Sequence, residues 1–168
     1  MPARDKERAF ARVKKESELA APVAKYMRQF EFEVYGEVPV GRNRADLVGY
    51  KESFFAGPHV AIVELKNAMA DFKRGSDQLS TYSGYANEVW VACTPWLAAS
   101  FLNDHAGGKA VHAWDPQWLE KKLKSIGCGL LLVEGTEVSR VLEPRKRGID
   151  GGQLREVKTA LVGRKPLG

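Results

Sequence analysis

Three charged residues in the middle of the chain have the types and spacing for phosphate chemistry. Glu64 and Lys66 stand two apart at the end of an apolar run, HVAIVELK, and Asp46 opens a second run, DLVGY. Side chains alternate along an extended strand, so residues i and i+2 share a face. Glu64 and Lys66 therefore project together, while Val63 and Leu65 point the other way. If the two runs are neighbours in a sheet, Asp46 reaches the same patch. Two carboxylates a few ångströms apart repel unless a cation lies between them. An all-oxygen set suits a hard ion such as Mg²⁺, which commonly takes one or two carboxylates and fills its other positions with water and substrate phosphate. A lysine beside such a site offers a point charge to a phosphate or a metal-bound water. The competing explanation is a sheet-edge ion pair between Glu64 and Lys66, with Asp46 as a turn residue.

The elements that must position these residues follow from periodicity. From about Asp5 to Phe30 apolar residues recur at helical spacing, Val13, Ala20, Val23, Met27 and Phe30, with Pro22 as an interruption. Pro22 either kinks this helix or marks a start near Ser17 or later. The period then changes to two in FEFEVYGEVPV, a half-buried strand. GRNR reads as a turn, ADLVGY as a strand pairing back, KESFFAGP as a hairpin end, and HVAIVELK as the next strand. Helical character returns in DFKRGSDQLSTYSGYAN, followed by the strand EVWVAC. Helices near PWLAASFLNDH and DPQWLEKKL, strands GLLLVE and EVSRVL, and a final helix QLREVKTALV complete the chain. Helices and strands in this order predict an α/β fold, a central mixed β-sheet flanked by helices with at least one parallel crossover. Residues 1–143 read as one domain. Residues 144–168, opening with EPRKRGIDGG, read as a basic linker and a short C-terminal helix that packs on the body or extends free.

These residues, in this order, resemble the PD-(D/E)XK nuclease superfamily. Asp46 matches the acidic residue of its second motif, although Ala45 stands before it where proline is usual, and Glu64–Lys66 (ELK) match the third. QLSTY matches the Q-x-x-x-Y signature of the RecB-like branch at Gln78 and Tyr82, which lie one helical turn apart. The resemblance spans roughly Glu16 to Thr94 and implies a restriction-endonuclease-like core that hydrolyses phosphodiester bonds. It implies that Asp46, Glu64 and the backbone carbonyl of Leu65 hold Mg²⁺, with Mn²⁺ as a substitute. Lys66 would position or deprotonate the attacking water and steady charge on the phosphate. Gln78 and Tyr82 would contact the backbone or orient the lysine. The family also uses an acidic residue on the first helix, and KESEL offers Glu16 and Glu18. At about 100° per residue, Glu16 falls about 20° from a stripe centred on Val23, and Glu18 about 140° away. Glu16 is the one expected to face the metal.

Composition sets the partners. The 168 residues carry a net charge of +5, which favours an acidic partner, most simply DNA. The clusters KERAFARVKK and EPRKRG could track phosphates. No apolar run approaches the length of a membrane span, and the first residues lack the apolar stretch of a secretory signal. Cys93 and Cys128 are far apart and outside any CxxC pair, as expected of free core thiols in a reducing cytoplasm. The three histidines lack zinc-like spacing. Trp90, Trp96, Trp114 and Trp118 suit core packing better than base stacking. The expectation is a Mg²⁺-dependent deoxyribonuclease of DNA repair, restriction or mobile-element processing, with a homodimer fitting the need to cut two strands. Two alternatives stand beside it: a nuclease-like fold that binds DNA or protein without cutting, and an assembly subunit using its basic tail.

Overall fold

Leu19, Val23, Ala24 and Met27 are the buried residues of helix α1 (Ser17–Arg28), one stripe of a helix whose charged residues Glu18, Lys25 and Arg28 are exposed. The computed structural model describes residues 17–66, 77–95 and 116–168. Within these, α1 passes through Pro22, which removes one i→i−4 donor without ending the helix. Phe30, expected on the buried stripe, lies beyond the helix end and is 41% exposed. Turn hydrogen bonds from Gln29, Phe30 and Glu31, and a positive φ of 69° at Glu31, swing the chain out of the helical phase there. Glu18 is exposed. Glu16 lies outside the described residues.

Six strands form one sheet in sequence order: β1 (Glu33–Val40), β2 (Asn43–Ser53), β3 (Gly57–Lys66), β4 (Glu88–Cys93), β5 (Gly129–Glu134) and β6 (Glu137–Leu142). The first three are an antiparallel meander, and β5–β6 is a hairpin. The contacts β3–β4 and β4–β5 are parallel. Parallel neighbours need crossovers. These carry helix α2, residues 77–82, and helix α3 (Pro116–Ile126). Helix α4 (Gly151–Leu161) follows the last strand. The fold is therefore α/β, a mixed sheet with helices against it, as the order of periodicities predicted.

Each sheet face has its own core. On one, α1 lies over Val34, Leu47, Ala61, Val63, Leu65, Trp90 and Leu131. On the other, Leu79 and Tyr82 of α2, Leu123 of α3 and Val157 of α4 pack on Val48, Ile62, Val91 and Leu130. Gly49 of β2 lets α1 approach, because a Cβ there would stand 2.5 Å from Met27 Cε and 3.0 Å from Phe32. Trp90 is a core tryptophan, its Nε1–H given to Glu88 at 2.9 Å. Cys93 and Cys128 are buried free thiols, and burial pushes both up to about 12, which makes them poor nucleophiles at neutral pH.

Residues 144–168 join the body. Arg147 N–H donates to Asn87 O and the Asn87 amide to Arg147 O, Val157 is buried, and Leu167 N–H donates to Val34 O at 2.7 Å. No described helix is long and apolar enough to cross a membrane.

Candidate metal and phosphate site

The alternation of β3 brings Glu64 and Lys66 onto the α2 side of the sheet, at the carboxyl end of the strand. Both are almost fully buried, 3% and 4% exposed, and Lys66 Nζ stands 3.4 Å from Glu64 Oε2. The i, i+2 spacing puts them on one face, and the contact they make is the ion pair of the competing explanation.

Asp46 reaches them by a less regular route. The β2–β3 ladder runs as far as Leu47 opposite Val63. One step further, the Asp46 carboxylate replaces a strand carbonyl and accepts the Leu65 N–H at 2.8 Å, while Asp46 N–H points to Glu64 Oε1 at 3.4 Å. The β1–β2 ladder skips the same step: Gly36 pairs with Leu47 and Val38 with Ala45, but Glu37 does not pair with Asp46. Glu37 has φ +51°, rare for a residue with a side chain. Beyond the break both strands have rolled over. Leu47 belongs to the α1-side core, yet Ala45, two residues away, belongs to the opposite core. Simple alternation would keep these on one face. The break frees the Asp46 backbone and side chain from the ladder, so both can address Glu64 and Leu65.

Tyr82 closes the site from α2. Its hydroxyl donates to Arg44 O at 2.9 Å, tying α2 to the start of β2, and lies close enough to Glu64 to act on its charge. Burial raises the Tyr82 phenol well above its ordinary range, with the Glu64 and Asp46 charges adding to the effect, so it remains neutral. Gln78 sits one turn earlier, half-buried, with no hydrogen bond to the carboxylates or the lysine among the described residues. Of the residues singled out from sequence, Asp46, Glu64, Leu65, Lys66 and Tyr82 come together.

The charges do not balance. Burial pushes the Glu64 carboxyl up to about 7, and the Asp46 charge adds to this, against the opposing pull of Lys66 and the Tyr82 hydroxyl. One ammonium faces two carboxylates in a largely dry position. A proton on Glu64 relieves this near neutral pH, and paired carboxylate oxygens such as those of Asp46 and Glu64 are of the kind that suits a hard cation. Among the described residues no three Asp, Glu, His or Cys side chains converge into a complete metal cage, so any ion here would keep open positions for water or phosphate.

Sequence reasoning missed the surrounding cations. Arg42 on the β1–β2 turn and Arg44 at the start of β2 are exposed, four and two residues before Asp46. Asp46 also lines a pocket of about 480 Å³ with Leu65, Glu37, Arg164 and Lys165. The pocket cations have no local signal, because Arg164 and Lys165 reach Asp46 only through long-range packing. Arg145–Arg147, the basic run visible in sequence, sits at the other end of the sheet. There Arg147 Nη2 donates to Ile126 O at 3.0 Å, and Lys146 borders a cleft of about 760 Å³ with His59, Glu88 and Trp90. His59 is paired to Glu88 at 3.0 Å. Trp96, Trp114, His105 and His112 lie outside the described residues.

No family model matches this chain, and no curated protein does. In fold it resembles the solved structure of the SPO1766 protein of unknown function from Silicibacter pomeroyi. The two are 17% identical, with a TM-score of 0.60, over 86% of this chain and 82% of that one. At this identity the likeness concerns the fold.

Proposed function

We propose that the protein is a Mg²⁺-dependent phosphodiesterase, a deoxyribonuclease of repair, restriction or mobile-element processing. One observation carries this reading: a buried Glu64 paired with Lys66, with Asp46 brought against it through a break in the strand ladder. A purely structural ion pair would need only Glu64 and Lys66. Here the ladder is broken to bring Asp46 into the same patch.

Asp46, Glu64 and the Leu65 carbonyl would hold the ion, which would supply Lewis-acid polarisation of the phosphate and a more acidic water. The chain's own residues do the rest. Leu65 N–H and Asp46 N–H fix the two carboxylates against each other. Glu64 holds the Lys66 ammonium in place, aimed at the patch where charge builds on the phosphate oxygens. Tyr82 stays protonated and anchors the start of β2, which keeps the carboxylates in register. The buried Glu64–Lys66 pair excludes bulk water on the α2 side.

The test uses the full chain on supercoiled, linear duplex and single-stranded DNA, with Mg²⁺, Mn²⁺ or EDTA. Cleavage is expected with either metal, none in EDTA, and a loss of at least about 100-fold in Asp46→Asn and Glu64→Gln with the melting temperature retained. Full activity of either variant, or of the wild type in EDTA, overturns the proposal. A Mg²⁺-dependent rise in melting temperature without cleavage would favour a silent DNA-binding module instead.

A further inference from the structure

The segment after α4 is held across the open edge of β1. Leu167 N–H donates to Val34 O at 2.7 Å, and Arg28 Nη1 donates to Leu167 O at 3.1 Å. Arg164 gives Nε–H to Ala160 O at 2.9 Å and Nη1 to Glu37 O at 3.4 Å. The Leu167 side chain lies over Gly36, where an added Cβ would be 3.5 Å from Cδ1. An unpaired sheet edge is commonly covered in this way. Edge cover alone, however, does not call for adjacent cations at the mouth of the Asp46 pocket. Arg164 and Lys165 stand there, lining the same concavity of about 480 Å³ as Asp46 and Leu65.

The pairing pattern of these cations is informative. Arg164 spends two of its donors on backbone carbonyls, which fixes the guanidinium beside Glu37, at the ladder break opposite Asp46. Lys165 is exposed and forms no ion pair among the described residues, although Asp46 and Glu37 line its pocket. An exposed lysine without an ion pair, next to a fixed arginine, presents two positive charges to solvent at the pocket that Asp46 and Leu65 line. A polyanion that runs past Asp46 would meet them.

We propose that Val162–Leu167 forms a phosphate-binding wall of the Asp46 site, in which Lys165 and the anchored Arg164 contact phosphodiester groups flanking the one bound at Asp46 and Glu64. The proposal rests on the phosphodiesterase reading above and assigns the backbone-contacting residues that reading lacks. Lys165 is a binding residue here, and Arg164 both a binding and a positioning residue.

Affinity for a fluorescein-labelled DNA duplex is measured by anisotropy in EDTA over a salt series, and cleavage separately with Mg²⁺. Each lost phosphate contact lowers the slope of log K against log salt by about 0.9. Lys165→Gln should lower it by that amount, raise KM and leave kcat within about twofold, with an unchanged melting temperature. Lys165→Arg should restore both slope and KM. Arg164→Gln with Lys165→Gln should lower the slope by about 1.8. If Lys165→Gln keeps the wild-type slope and KM, the segment is edge cover only and the proposal falls, while the nuclease reading stands on its own cleavage. Should the wild type bind duplex with a salt slope that depends on Lys165 yet never cleave, the nuclease reading fails and the wall remains as a phosphate-binding surface. Failure of the wild type to bind DNA overturns the wall.

Discussion

Two carboxylates and one ammonium share the end of β3, where burial more than the unequal count governs how Glu64 titrates. Its carboxyl is raised from 4.5 to about 7, by burial first and then by Asp46. A raised carboxyl in the folded state stabilises the protein fully below about pH 4.5 and loses that contribution as pH rises through about 7. In EDTA, denaturant unfolding of wild type and Glu64→Gln should therefore diverge between pH 4.5 and 8, the glutamine variant gaining on the order of 3 kcal/mol relative to wild type. A pH-independent difference would mean that Glu64 is not desolvated. Mg²⁺ should remove most of the divergence by competing with the proton. Lys66 acts at a different stage: Lys66→Ala should lower kcat by about 100-fold or more while duplex affinity changes less than about threefold, because its charge matters most as the transition state forms. Equal losses in affinity and turnover would make Lys66 an ordinary phosphate contact. At this scale the sequence was informative. Strand alternation alone placed Glu64 beside Lys66, and the distance of 3.4 Å agrees.

The elements tell a more mixed story, and the reason lies in the pairing of β1 with β2. Strand positions, the α1 stripe from Leu19 to Met27 and the mixed sheet follow from local periodicity, while β2 extends beyond ADLVGY into the expected turn and hairpin end. The roll of both strands at Glu37 and Asp46 does not, because a glutamate carries no signal for positive φ. Period-two reasoning would have kept Ala45 and Leu47 on one face, yet they lie in opposite cores. Asp46 meets Glu64 because the ladder breaks there. The break can be tested through Glu37. A β-branched side chain tolerates φ +51° poorly, so Glu37→Val should destabilise the fold by about 1–2 kcal/mol, whereas Glu37→Gly should cost little. Metal-dependent cleavage should fall in the valine variant and persist in the glycine one, as Asp46 is displaced or kept. Equal stability of the two would show that the local φ carries no strain. Independently, Gly49→Ala should cost about 1–3 kcal/mol by pushing against Met27 and Phe32, read from the same unfolding curves.

Over the whole molecule, the +5 net charge does not say where an anionic chain would lie. The run Arg145–Arg147 is conspicuous in sequence, but folding sets it beside Asn87, at the start of β4. Lys66 lies seven residues along β3 from His59, which faces that end, so about 23 Å separates the basic run from the site. Arg147 is also committed to the Ile126 carbonyl. Arg42 and Arg44 are less conspicuous in the chain, yet they stand on the β1–β2 turn and at the start of β2, within four residues of Asp46, and are exposed. A short-range electrostatic footprint belongs with the second pair, since the Debye length is about 8 Å at physiological salt. Arg42→Gln with Arg44→Gln should lower the salt slope of duplex binding by about 1.8, while Arg145→Gln with Lys146→Gln should change it by less than about 0.5. Arg147 is left intact in this comparison, because its loss would strip a backbone carbonyl of its partner and confuse binding with folding. The reverse ranking would mean that the nucleic acid runs lengthwise along the sheet to the far cleft, and that the carboxylate end contacts only one terminus of the bound segment.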